Sequence, residues 1–231
     1  MAIASTLPGM TGTAGDDALT RAFREAADTF ASLVHRPDVE ASWDAPSALP
    51  GYTVGTLVGH VNSAIGWLGP LLAAPIPTDL RPVALGNFYA TAKISSPEDH
   101  DSPLHSSVAA LSHKAAQRGW DWNVQHFTTL AEQALEALRS QPPERLLDLR
   151  PIAPIAARLD DFVSTRVVEV AIHADDLAVS LHAHPPTITQ ATADVVIDTL
   201  LATARRSHGD LDVIRALARR ERTTTACFPV F

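Results

Sequence analysis

Four side chains able to carry charge or hold a metal share one stripe of a single segment. In LDDFVSTRVVEVAIHADDLAVSL, residues 159–181, Arg166, Glu169, His173 and Asp176 are spaced i, i+3, i+7 and i+10. An α-helix turns about 100° per residue, so these positions lie on one face. The rest of the segment is apolar on nearly every side: Phe162, Val163, Val167, Val168, Val170, Ala171, Ile172, Ala174 and Leu177. A helix of that kind is normally buried. Burying an unpaired ion costs on the order of several kcal/mol, so something must compensate the quartet. One solution is an ion-pair network, Arg166 to Glu169 and His173 to Asp176, each at i+3. The other is a metal ion, because Glu169 and His173 at i and i+4 point the same way from successive turns.

A metal needs a further ligand from another element. His60 is the best candidate, since it borders the stripe Leu57, Val61, Ala64 and Leu68, with Gly59 and Gly66 expected to let another backbone come close. The plainer alternative is a core histidine satisfied by one hydrogen bond. His126 is a rival, but its neighbours Asn123 and Gln125 make that turn read as solvated. His35, His100, His105, His113, His182, His184 and His208 read as surface residues, and Cys227 has no expected role.

The elements that would position these groups are helical. Asp16 and Asp17 open a pattern carried by Leu19, Phe23, Ala26, Phe30, Leu33 and Val34. Residues 37–52, rich in Pro and Ser, read as a loop. Thr53 is a plausible N-cap for a helix over 54–72, which Pro70 and Pro75 help to end. Five prolines between 75 and 103 imply a long irregular connection, with a helical turn around Asn87–Ala92. Helices are expected at 104–117, 121–140, 159–182, 188–207 and 210–222, with 144–158 extended or looped. The tail TTTACFPVF has strand-like composition. This division is a disordered leader, 1–15, a metal-binding helical bundle, 16–184, and a small C-terminal extension, helical or α+β, 185–231. The fold class is mainly α.

With 231 residues and 46% hydrophobic content the chain can bury a sizeable core. A net charge of -8 argues against nucleic acid as a partner, and the cluster Arg219, Arg220, Arg222 is too short to change that. A single cysteine excludes an internal disulfide framework and fits a reducing cytosol. No secretory signal or membrane-spanning run is visible, so the expectation is a cytoplasmic protein without membrane contact.

The segment STRVVEVAIHADDLA, with Trp43–Asp44–Ala45–Pro46 and Tyr52–Thr53–Val54 ahead of Leu57–Val58–Gly59–His60, resembles the mycothiol-dependent maleylpyruvate isomerase family. These are actinobacterial relatives of the DinB-like four-helix metal-binding bundles. The likeness covers roughly 17–222. It implies a DinB-like bundle with a smaller C-terminal part, and a metal, usually zinc, on His60, Glu169 and His173. It also implies mycothiol, a low-molecular-weight thiol, as cosubstrate. Asp176 and Arg166 match the acidic and basic positions of the motif, and Arg219 best matches an arginine that matters near the isomerase C-terminus. The chain departs from the family in having Tyr52 for the usual Trp and Gly55–Thr56 for the common Arg-Asp pair.

The resulting expectation is an enzyme, a zinc-dependent thiol transferase or isomerase acting on a small electrophilic substrate, as a monomer or homodimer. Two His and one carboxylate leave a position open, which is the pattern of catalytic zinc. A thiolate there would add to a conjugated double bond or an alkyl carbon. Asp176 would hold a ligand His or position a proton, Arg166 would balance the acidic stripe, and Arg219 would bind a substrate carboxylate. Iron or nickel in the same bundle is the second reading. A non-catalytic binding or scaffold protein, with the quartet only an ion-pair network, is the third.

Overall fold

A computed structural model describes residues 17–92, 103–151 and 153–222. The expected leader 1–15, His100, the strand-like tail with Cys227 and part of the 75–103 connection lie outside the described residues, as does the side chain of His105.

Four helices make the frame: α1 (Ala18–Val34), α3 (Val54–Gly66), α7 (Trp120–Ser140) and α8 (Leu159–Ser180). α1 packs on α7 and α8, and α3 packs on the same two, which closes a four-helix bundle. Each helix turns one apolar stripe inward. Phe23 and Phe30 of α1, Leu57 and Ile65 of α3, Phe127 of α7 and Phe162 and Leu177 of α8 are at most 1% exposed. α6 (Pro103–Ala116) lies against the outer side of α3. Gly59 makes that approach possible, because a Cβ there would sit 2.4 Å from the Ser112 carbonyl oxygen. Gly66 has no such role; its nearest neighbour is the Leu130 side chain at 3.7 Å.

The start signals act as expected. Asp17 accepts a hydrogen bond from the Thr20 amide and Thr53 from the Thr56 amide, capping α1 and α3. Two expectations need correction. The 37–52 loop contains a short helix, α2 (Pro37–Ala41), because Pro37 suits a first helical turn and buried Val39 anchors it. The expected 54–72 helix is interrupted at Trp67 and continues as α4 (Leu68–Ala73). Pro70 removes the amide that would bond the Gly66 carbonyl and crowds that turn.

The long connection holds a 3₁₀ turn (Leu85–Asn87) and α5 (Phe88–Ala92), near the turn expected there. Residues 144–158 form a hairpin of β1 (Leu146–Asp148) and β2 (Ala156–Arg158), antiparallel with Leu147 opposite Ala157. α9 (Gln190–His208) packs on α1 and α8, and α10 (Asp210–Ala218) packs on α9. The last expected helix stops at Ala218, four residues short, and a 3₁₀ turn follows. Among the described residues no helix is long and apolar enough to cross a membrane.

Candidate metal centre

α8 is buried over most of its surface, as its composition requires, and its polar stripe faces α3. His60 stands on α3 with Leu57 and Val61, both fully buried, fixing the helix rotation. Its Nε2 lies 3.3 Å from Glu169 Oε2, and His173 Nε2 lies 3.4 Å from the same oxygen. The two imidazoles meet edge to face, with ring centres 4.7 Å apart. The three donor atoms lie within 4.8 Å of one another.

These distances bear on what the cluster can hold. Charge-assisted N–H···O bonds are usually about 2.7–2.9 Å long. Ligands of a tetrahedral ion bonded at about 2.0–2.1 Å stand roughly 3.3 Å apart. The two Glu169 contacts match the second spacing better than the first. Two imidazoles and one carboxylate are also a donor set that divalent zinc or iron accepts. On the two Glu169 spacings and on donor chemistry the three residues fit a metal ion.

The neighbours fix the donors. Asp176 Oδ2 sits 2.8 Å from His173 Nδ1, which directs that ring's Nε2 at Glu169. The carboxylate–histidine pair is the usual support of a metal-ligating histidine. Arg166 is 7% exposed. Its guanidinium donates to the Ala64 carbonyl at 3.0 Å and to Thr165 Oγ1, lies over the Phe162 ring, and approaches Glu169 Oε1 at 4.0 Å. His60 lacks a counterpart to Asp176 among the described residues: its Nδ1 is buried without a hydrogen-bond partner among them.

The electrostatics follow. Burial pushes the Glu169 carboxyl up, but hydrogen bonds from His173 and His60 and the charge of Arg166 outweigh it and hold the group well below the usual range. Burial pushes His173 down, while Asp176 and Glu169 together raise it to about 9. His60 moves the other way: its burial prevails over the Glu169 contact and lowers its pKa. Without a metal the cluster is therefore an ionised Glu169 flanked by one charged and one neutral imidazole.

Thus the structure brings together Arg166, Glu169, His173, Asp176 and His60. Arg219 is exposed at the C-terminal end of α10. His126 is on α7, stacked on Trp122. The reason given for setting it aside needs correction: Asn123 is fully buried, donating to the Ala115 and Gly119 carbonyls and accepting from Asn62.

Two tyrosines near the cluster were not among the expected site residues, although Tyr52 stands in the motif that carries the resemblance. The Tyr52 ring is edge-on to His60 at 5.9 Å and stacked on His113 at 6.4 Å. Its loop is held by Tyr52 backbone bonds to Ser47 and Leu49 and by the Ala48 amide donating to Ser180 Oγ on α8. Burial, and to a smaller degree the Glu169 charge, push its phenol up, so it stays protonated. Tyr89, 2% exposed on α5, feels the charges of Glu169 and Arg166. Only its aromatic character within a proline-rich stretch could have singled it out. His113 is exposed, as read, yet it forms part of the Tyr52 wall.

The family model for the mycothiol maleylpyruvate isomerase N-terminal domain matches residues 23–178, which include the whole of α3 and all but the last two residues of α8. The chain belongs to this family. Mycothiol maleylpyruvate isomerase N-terminal domains are thus the setting in which the His60–Glu169–His173 cluster is to be understood. The match stops within α8 and leaves α9 and α10 outside it. No curated protein and no solved structure matches the chain.

Proposed function

We propose that the chain is an enzyme that holds one divalent ion, zinc, on His60, Glu169 and His173 and uses a low-molecular-weight thiol of the mycothiol type against a small electrophile. The observation that carries this reading is the convergence of three donors from two helices on one point, with Asp176 behind His173. Family membership supports the thiol and the isomerase class. When bound, the ion would supply the positive charge that keeps a thiol as thiolate at neutral pH.

The chain's own residues prepare the site. Asp176 accepts from His173 Nδ1 and so fixes the ring's orientation. Arg166 offsets the Glu169 charge and, through the Ala64 carbonyl, ties α8 to α3. Tyr52 walls the cluster beside His60 and limits water there. An isomerase would let the thiolate add to a conjugated double bond and leave again after rotation; an S-transferase would keep the new carbon–sulfur bond, with a leaving group expelled from an alkyl carbon or a proton taken up by the carbanion left after addition. Arg219 would bind a substrate carboxylate; Arg219→Ala should then raise KM and leave metal content unchanged.

Metal analysis of purified protein, followed by thiol consumption with a panel of unsaturated and alkylating electrophiles, tests the reading. One equivalent of zinc and thiol-dependent turnover are expected. Bound iron with oxygen-dependent turnover would replace zinc by the iron reading, and a protein that consumes no thiol would favour the binding-protein reading.

A further inference from the structure

A second concave site shares no residue with the metal centre. It opens between the α3–α4 junction, α6 and the start of α7, with a volume of about 390 Å³. That is within the size of small-ligand pockets, roughly 300–1,000 Å³. Trp67 and Trp122 give it apolar walls, Ser63 a hydroxyl, and Lys114, Arg118 and His126 line it as well.

The arrangement of charge is what points to a ligand. Lys114 in the last turn of α6 and Arg118 in the turn that follows it bring two positive charges to one cleft. Neither makes an ion pair with any described residue, although the chain has 26 acidic groups against 18 basic ones. The C-terminal end of α6 favours the positive charge of Lys114 through the helix dipole. Arg118 is not loose: its guanidinium lies 4.3 Å over the Trp122 ring, and His126 stacks on Trp122 at 4.3 Å. Burial and the Arg118 charge push His126 down, so it serves as a flat neutral wall. A pre-stacked guanidinium keeps its N–H edges available for a carboxylate, at a small loss of side-chain freedom.

We propose that this cleft binds a small organic anion: a planar apolar body between Trp67 and Trp122, with its carboxylate on Lys114 and Arg118. The cleft reads both halves of such a ligand. Neither a bare anion nor a neutral aromatic satisfies it alone.

Calorimetric titration of the full chain with phenylacetate, acetate and 2-phenylethanol tests this, in metal-loaded and chelator-treated protein. Phenylacetate is expected to bind with one-to-one stoichiometry, at least about tenfold more tightly than either half-probe, and equally well without metal. The double variant Lys114→Gln/Arg118→Gln, both on the surface, is expected to weaken phenylacetate about tenfold and leave 2-phenylethanol unchanged. Four results would overturn the proposal. They are no phenylacetate binding at millimolar concentration, affinity no better than that of 2-phenylethanol, indifference to the double variant, or binding lost on chelation, which would move the ligand to the metal centre.

Discussion

His173 is held at both ring nitrogens, whereas His60 is held at one. That asymmetry has consequences for single residues. Replacing Asp176 by Asn removes the charge behind His173 while keeping its shape. Zinc affinity should fall about 10–100-fold in competition with a chelator, with the fold intact. An affinity within about twofold of the wild type would deny Asp176 this role. The protonation of His173 gives a second prediction. In the metal-free protein its pKa rises from 6.5 to about 9. The stability this gives the folded state is complete below about pH 6.5 and is lost as pH rises through about 9. Metal takes neutral imidazole, so the rise in Tm produced by added zinc should grow from pH 6.5 to 9. A rise in Tm that shrinks over that range would contradict the assignment of His173.

At the scale of elements, the site depends on how closely α6, α3 and α8 approach. Gly59 is the point of least tolerance. Gly59→Ala would place a methyl group 2.4 Å from the Ser112 carbonyl and force backbone apart. It should destabilise the protein by about 1–3 kcal/mol in denaturant unfolding. Gly66→Ala, with only a side chain at 3.7 Å, should instead stabilise it by up to about 1 kcal/mol. Equal effects of the two would mean that α6 does not press on α3 as described. The helices themselves were legible because their signals are local: the caps Asp17 and Thr53, the apolar stripes and the proline stops. What sequence patterning missed was set by packing. The break at Trp67 comes from Pro70 within a continuing apolar pattern, and the burial of Asn123 comes from its bonds to Asn62 and to the α6–α7 turn. For the candidate site, spacing placed Glu169, His173, Asp176 and Arg166 on one stripe, and the apolar border of His60 suggested its direction. Tyr52 and Tyr89 could not be found that way, because loops and a connection between distant elements bring them to the cluster.

For the whole molecule, the bundle α1, α3, α7 and α8 carries the cluster at the α3–α8 contact, and α9 braces α1 and α8 from outside. A ligand shared by α3 and α8 links segments 109 residues apart in the chain, counted from His60 to Glu169. Metal that binds only the folded protein adds stability by mass action, about 2.7 kcal/mol at a free concentration one hundred times Kd. The most direct measurement is the zinc content of the purified wild type and of His60→Ala, Glu169→Gln and His173→Ala, each checked for retained helix by circular dichroism. One equivalent is expected in the wild type and a large loss in all three variants, His60→Ala included. Wild-type metal content in the three folded variants would contradict that expectation.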